Sequence, residues 1–228
     1  MLTLAVSTSS GQFALVIGET AGNEVSISPL SGGAVLFDSS EYLEHEKELD
    51  DTLSEGLKYC RRAVHEISRI IVDTGPGGTS RVRTGIAFVN GLAFSLGLPV
   101  YTVSSMELAG IDAGRKFGGL PVINSIKSIK GNAYTGLYHQ GHLSISYGTV
   151  RDTVPTLVRN IERFVVSGFH REAIMSLPAL QDKVIIDSQM AFGNARIMIE
   201  KSDLLIRDRH DFPTYAQPVT EKTLIHHE

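Results

Sequence analysis

From Thr84 to Met106 the chain carries no Asp, Glu, Lys or Arg, and this run most narrows what it can become. Water solvates such a stretch poorly, so whatever it forms must be covered. Gly91, Ser95, Gly97 and Pro99 interrupt it, whereas a membrane span needs roughly 18 unbroken apolar residues. Gly97 followed by Pro99 is a helix stop, which makes Val82–Leu96 a helix and Pro99–Val103 a strand. One side of the helix carries Gly85, Ile86, Val89, Leu92, Ala93 and Leu96, enough to pack on a sheet. The other side carries Thr84, Ala87, Phe88, Gly91, Phe94 and Ser95, small or aromatic and without charge. An ordinary surface helix has a polar back. This one needs two covers, the second coming either from a neighbouring helix of the same chain or from another subunit.

The surrounding pattern is α/β. Leu2–Val6, Phe13–Ile17 and Ala34–Phe37 read as strands, and Ser9-Ser10-Gly11 is short enough to make the first two an antiparallel hairpin. Leu49, Leu53, Leu57, Cys60 and Val64 then recur at helical steps, which predicts a helix over Glu41–Glu66 with Ser40 as N-cap. Its acidic start and basic end suit the helix dipole. A strand (Arg69–Val72) and a glycine-rich loop (Thr74–Ser80) lead into the uncharged helix. The order βββαβα requires a mixed sheet whose later strands are parallel. The second half repeats the plan: strands at Pro121–Ile126, Ala133–Tyr138 and Leu143–Tyr147, a helix at Thr156–Phe164, a strand at Lys183–Asp187 and a helix at Met190–Glu200. The expectation is a duplicated fold with domains 1–104 and 105–228, the boundary falling in glycine-bearing Ser104–Gly119 and the tail from Lys201 polar.

Composition narrows the class. With 228 residues, 42% hydrophobic and 20% charged, the chain is globular rather than disordered. A net charge of −4 gives no electrostatic case for a nucleic-acid coat protein, and Lys127, Lys130, Arg159 and Arg163 read as scattered, with no aromatic platform beside them. Cys60 is the single cysteine, expected as a small core residue in a reducing compartment. The first residues read as a strand rather than a signal peptide, so the expected location is the cytoplasm.

Chemistry-bearing residues are few. The loop Asp73–Arg83 follows a strand and opens a helix, where backbone N–H groups favour an anion. Ser9, Gly75, Gly77 and Gly78 are therefore the candidate anion- or nucleotide-binding residues, with Arg81 and Arg83 as added charge. A tight turn is the competing reading, since the spacing is neither a Walker A loop nor a dinucleotide fingerprint. Asp38, Asp73 and Asp187 are the carboxylates available for magnesium, each equally a turn or strand-end residue. His139 and His142 lie close without a third ligand, and no Gly-x-Ser-x-Gly elbow is present. The expectation is no catalytic and no metal residue.

The sequence resembles the TsaB (YeaZ) family, the partner subunit in bacterial tRNA threonylcarbamoyladenosine synthesis. Leu4-Ala5-Val6-Ser7-Thr8-Ser9, a long helix starting near His45, Gly75-Pro76-Gly77, Arg83-Thr84-Gly85, Gly91-Leu92-Ala93, Leu98-Pro99-Val100 and Val103-Ser104-Ser105-Met106-Glu107 carry the resemblance over about the first 110 residues. Pro213-Thr214-Tyr215 resembles the family's closing Pro-x-Tyr. The resemblance implies the duplicated actin-like fold of Hsp70 and sugar kinases (ASKHA), a catalytic paralogue (TsaD) as partner, and a TsaE-type ATPase in the assembly. It implies a partner surface on the first two helices: His45, Thr84, Ala87, Phe88, Gly91, Phe94 and Ser95. The same helices offer a homodimer contact. TsaD-like proteins place two metal histidines where this chain has Ser105 and Ala109, so the resemblance is to a non-catalytic member. It implies no cofactor in the isolated chain, and ATP or ADP with Mg at a junction with the partner. Departures are Ser7 where the family's first strand ends in Asp, Gly78-Thr79-Ser80-Arg81 where the family reads Ser-Phe-Thr-Gly, and Asn124-Ser125-Ile126 where it reads Asp-Ala-Arg. The alternative is a small-molecule kinase or ATPase of this fold that uses the Gly75-Pro76-Gly77 loop.

Overall fold

The structure, a computed structural model, describes residues 1–10, 13–20, 33–42, 48–202 and 208–210. Two units form. The first comprises Met1–Val103 and a return segment starting at Ala195, and the second runs from Ser104 to Asn194.

In the first unit, Leu2–Ser7 (β1), Ala14–Glu19 (β2) and Ala34–Asp38 (β3) are followed by Ser39–Tyr42 (α1), Leu49–Cys60 (α2), Ile67–Asp73 (β4), Thr79–Leu96 (α3) and Val100–Val103 (β5). β1 pairs antiparallel with β2 from Leu2↔Glu19 to Ser7↔Ala14 and parallel with β4, and β4 pairs parallel with β5. Every residue of β1 is buried, as a central strand covered on both faces requires. Leu2, Leu4 and Val6 point to one face by the two-residue period. There they form one apolar cluster with Leu49, Leu53 and Leu57 of α2 and Val82, Ile86, Val89 and Ala93 of α3. Both helices therefore lie on the same side of the sheet. α3 stops at Gly97, which adopts φ 65°, and Leu98 N–H bonds back to the Ala93 carbonyl at 3.0 Å.

The helix predicted over Glu41–Glu66 is shorter. Arg61 turns left-handed at φ 54° and ends α2. Arg62 then pairs with Glu19 and Glu66, and Glu66 accepts the Ala63 N–H at 2.6 Å. These polar contacts draw the chain off the helical path and leave Val64 exposed rather than on the buried stripe. Ser40 is not a cap. It lies inside α1, where its N–H and Oγ both donate to Asp38 Oδ1, and Glu48 stands at the N-cap of α2.

The second unit contains Ser105–Lys116 (α4), Val122–Lys127 (β6), Ala133–His139 (β7), His142–Gly148 (β8), Val150–Leu157 (α5), Arg163–Gly168 (β9), Arg171–Met175 (α6) and Val184–Asp187 (β10). The return segment adds Ile197–Glu200 (α7) and Asp208–His210 (β11) to the first unit. The sheet orders are β11-β5-β4-β1-β2-β3 and β10-β9-β6-β7-β8. Leaving out β11, the two follow one plan, with two antiparallel and two parallel pairings in corresponding places. This is the duplicated α/β fold expected of an actin-like chain.

In the boundary segment Ser104–Gly119, Ser104 caps α4 by accepting the Met106 N–H, a turn at Gly118-Gly119 follows the helix, and Gly110 sits so close to β7 that a Cβ would fall 2.4 Å from Tyr138 Cβ. The glycine is there for close packing. The predicted helix Thr156–Phe164 splits, because Phe164-Val165-Val166 pair with β10 and β6 as a buried strand. The predicted helix Met190–Glu200 is reduced to α7. Ahead of it Gly193 fits against the α4 backbone, a Cβ there lying 2.5 Å from Ala109 N, while Met190 O accepts the Gly168 N–H. From Ala195 the chain belongs with the first unit, where Ile199 packs on Gly18 of β2. Pro213-Thr214-Tyr215 lies outside the described residues. No helix among the described residues is long and apolar enough to cross a membrane.

Close packing under α2 makes a contrast of two glycines informative. A Cβ on Gly56 would lie 2.7 Å from Phe37 Cδ1 and 3.0 Å from Ile17 Cδ1, whereas one on Gly91 meets nothing within 4 Å. Gly56→Val is expected to lower unfolding free energy in urea by about 1–3 kcal/mol, and Gly91→Ala to raise it by about 0.5–1 kcal/mol through helix propensity.

Candidate functional site

The loop after β4 closes onto the turn after β1. Asp73, at the end of β4, is 1% exposed. Its Oδ2 accepts hydrogen bonds from Ser7 Oγ at 2.8 Å and from Ser9 Oγ, and its Oδ1 accepts the Gly75 N–H at 2.8 Å. Gly75 holds φ 90°, a conformation that glycine adopts without strain. A Cβ on Gly77 would lie 2.6 Å from the Ser9 carbonyl oxygen, and that carbonyl accepts the Gly78 N–H at 3.4 Å. Thr8 Oγ1 donates to the Arg81 carbonyl at 2.8 Å, and the Arg81 guanidinium lies 5.5 Å from the Phe13 ring centroid.

Ser9, Gly75, Gly77 and Gly78 thus come together as one contact. The Gly75 N–H donates to a carboxylate and the Gly78 N–H to a carbonyl, so these two donors are engaged within the chain. These contacts make a mechanical joint that fastens the start of α3 to the β1–β2 turn. Ser7 belongs to that joint: an Asp there would set a second carboxylate against Asp73, whereas Ser7 donates to it.

α3 shows both of its predicted sides. Val82, Gly85, Ile86, Val89 and Ala93 are buried on the sheet. On the opposite side Thr84, Ala87, Gly91, Phe94 and Ser95 are exposed and Phe88 is half-buried, with Phe94 reaching 60% exposure. α2 shares the sheet face but its described residues do not cover this side, and its own outward positions are Asp50, Asp51, Ser54, Lys58 and Tyr59. Of the two covers considered for α3, the described part of its neighbour does not supply the second. His45 lies outside the described residues.

The remaining candidates have structural partners. Asp38 anchors Ser40 and stands 3.9 Å from Arg196 Nη1, and Asp187 pairs with Arg171 Nε at 2.9 Å. His139 and His142 face each other across the β7–β8 hairpin. Among the described residues no three His, Cys, Asp or Glu side chains stand together as a metal site. Ser105 and Ala109 are buried in α4. Cys60 is half-buried against the apolar cluster, and burial pushes its thiol up while the Arg62 charge pulls it back.

One residue escaped the sequence reading. Lys127 does have an aromatic neighbour: its Nζ lies 5.1 Å from the ring centroid of Phe169, which is 57% exposed just past β9. The available signal was Gly168-Phe169 ending a run of Phe164-Val165-Val166, hidden once Phe164 was assigned to a helix.

The Asp73 joint carries a measurable load. Asp73→Ala strands the Ser7 and Ser9 hydroxyls and the Gly75 N–H, and is expected to cost about 2–3 kcal/mol of stability in urea unfolding.

Comparison with known proteins places this geometry. The sequence model of the family described as TsaD, tRNA N6-adenosine threonylcarbamoyltransferase, matches residues 23–183, more than half of the chain. The chain is 39% identical over 84 residues to the tRNA threonylcarbamoyladenosine biosynthesis protein TsaB of Bacillus subtilis, and 27% identical over 111 residues to the protein of that name from Escherichia coli. These matches cover 36% and 49% of this chain, and span 35% and 48% of the curated relatives' length. Among solved structures, the fold is similar to YeaZ from Pseudomonas aeruginosa (TM-score 0.64, 17% identity, 89% of this chain and 92% of that one). It is also similar to an uncharacterized protein described as having similarity to peptidase YeaZ from Pseudomonas aeruginosa (TM-score 0.71, 20% identity, 96% and 98%). With both sheets of one plan, the chain belongs to the TsaD family, and it is with that family's TsaB (YeaZ) members that its sequence and fold agree.

Proposed function

We propose that this chain is a non-catalytic accessory subunit that binds a TsaD-type enzyme and supports formation of threonylcarbamoyladenosine in tRNA. The single observation that carries the reading is the outward side of α3. Thr84, Ala87, Gly91, Phe94 and Ser95 are exposed and uncharged, whereas the exposed positions of α2 include the charged Asp50, Asp51 and Lys58. Small residues let a second helix approach closely, and Phe94 beside them supplies an aromatic anchor of the kind that dominates interface energetics. Phe88 and, from the segment before α2, His45 complete the proposed surface. The names of the two curated relatives support the pathway.

The chemistry is assigned to the partner. Ser105 and Ala109 offer no metal ligand of the histidine kind, and the Gly75 and Gly78 N–H groups are taken up by Asp73 and Ser9. In this reading ATP or ADP with Mg acts at the junction with the partner rather than in the isolated chain. A TsaE-type ATPase joins the same assembly. Without its partner, the α3 side serves a two-fold homodimer, since an isologous contact needs only one self-complementary patch. No observation favours the kinase alternative over this reading.

Gly91→Arg tests it. The site is open in the free chain, so the variant is expected to fold with an unchanged circular dichroism spectrum. It is also expected to lose co-elution with a TsaD-type partner, because a desolvated, unpaired charge at an interface costs about 2–5 kcal/mol. Retention of full co-elution by the folded variant contradicts the assignment.

A further inference from the structure

The end of β9 is held more tightly than folding alone asks, and what it holds is a side chain in solvent. Gly168 adopts φ 93°, and a Cβ there would lie 2.1 Å from the Ser125 carbonyl oxygen and 2.5 Å from Asn124 Oδ1. Gly168 N–H bonds to Met190 O and Phe169 N–H to Ser125 O, each at 2.7 Å, and His170 N–H bonds to Ser125 Oγ at 2.9 Å. Arg171 adds a fourth tie from its Nη1 to the Gly168 carbonyl at 2.9 Å. This pinned turn displays Phe169 outward. The ring is flanked by Lys127 Nζ and, edge-on at 5.0 Å and 74°, by the His170 imidazole.

We infer that Phe169, with Lys127 and His170 beside it and Lys130 following in the same turn after β6, is a stacking platform for an unpaired base of single-stranded RNA. The chemistry is that of base-on-aromatic stacking beside a phosphate-binding cation. Among the described residues no carboxylate pairs with Lys127 or Lys130, while Asp187, at the end of β10, is neutralised by Arg171. Burial, and next to it the Lys127 charge, hold the His170 imidazole below its usual range. At neutral pH it is therefore an uncharged ring, and its enclosed Nδ1 has no hydrogen-bond partner among the described residues. A lysine against one exposed aromatic ring suits a base with its phosphate. The platform stands outside the carboxyl ends of the parallel strands β6, β9 and β10, where open α/β sheets take their ligands. The choice of RNA over DNA rests on the function proposed above.

The test uses the full chain alone, so it stands or falls separately from docking at α3. Fluorescence anisotropy with a short labelled single-stranded oligoribonucleotide at low salt is expected to show binding. Phe169→Ala, at a solvent-exposed side chain, is expected to weaken it about tenfold, while Phe169→Trp retains it. Lys127→Ala is expected to weaken binding and to lower the slope of log affinity against log salt by about 0.7. Three results overturn the inference: no binding by the unaltered chain, equal binding by Phe169→Ala, or displacement of the oligonucleotide by free adenosine monophosphate as readily as by unlabelled oligonucleotide, which would mark a site for a free nucleotide.

Discussion

The burial of one side of α3 on a sheet, with an outer side that is uncharged from Thr84 to Leu96, is the constraint on which the first unit is organised. Val82, Ile86, Val89 and Ala93 commit the helix to the β1–β4 face, and the Asp73 carboxylate fixes the β1–β2 turn to the loop from which it starts. Gly97 ends it one residue past Leu96. A helix fixed at its base, along its inner side and at its end presents a rigid outer side. Rigidity matters for recognition, because a surface already in its bound form loses little conformational entropy on docking.

The two units share a plan and use the same place in it differently. In the first, the end of β4 folds inward: Asp73 collects three donors and Gly77 presses on Ser9, leaving no spare N–H of the Gly75 or Gly78 kind for a ligand. In the second, the end of β9 is equally pinned, by Ser125 and Met190, yet it delivers Phe169 to solvent. Glycines at φ 90° and φ 93° make both arrangements possible. The closed version ties the loop after β4 to the turn after β1.

Much of this was legible in the sequence where local period and burial agree. The β1–β2 hairpin, β4, α3 and β5 could be placed because their apolar residues recur with the spacing of the element they form. The unusual back of α3 was visible as well, since absence of charge is a property of the sequence itself. Errors arose where tertiary contacts overrule the local signal. α4 is not legible from the glycines of the boundary segment, because Gly110 sits inside the helix, where it lets the helix touch Tyr138. α2 was drawn too long because Val64 continued the stripe, and only the Arg62 pairings with Glu19 and Glu66 show why the chain leaves it. Phe169 is not legible because the helix predicted over Thr156–Phe164 takes in the start of β9, and Lys127 approaches it across a parallel pairing that no local window contains.

The central claim concerns one helix face, so a residue-level footprint tests it most directly. Hydrogen–deuterium exchange would be followed along the full chain with and without a TsaD-type partner. The account predicts slowed exchange in peptides covering Thr79–Leu96 when the partner is present, with β6–β9 unchanged. Slowed exchange elsewhere with Thr79–Leu96 unaltered would contradict it.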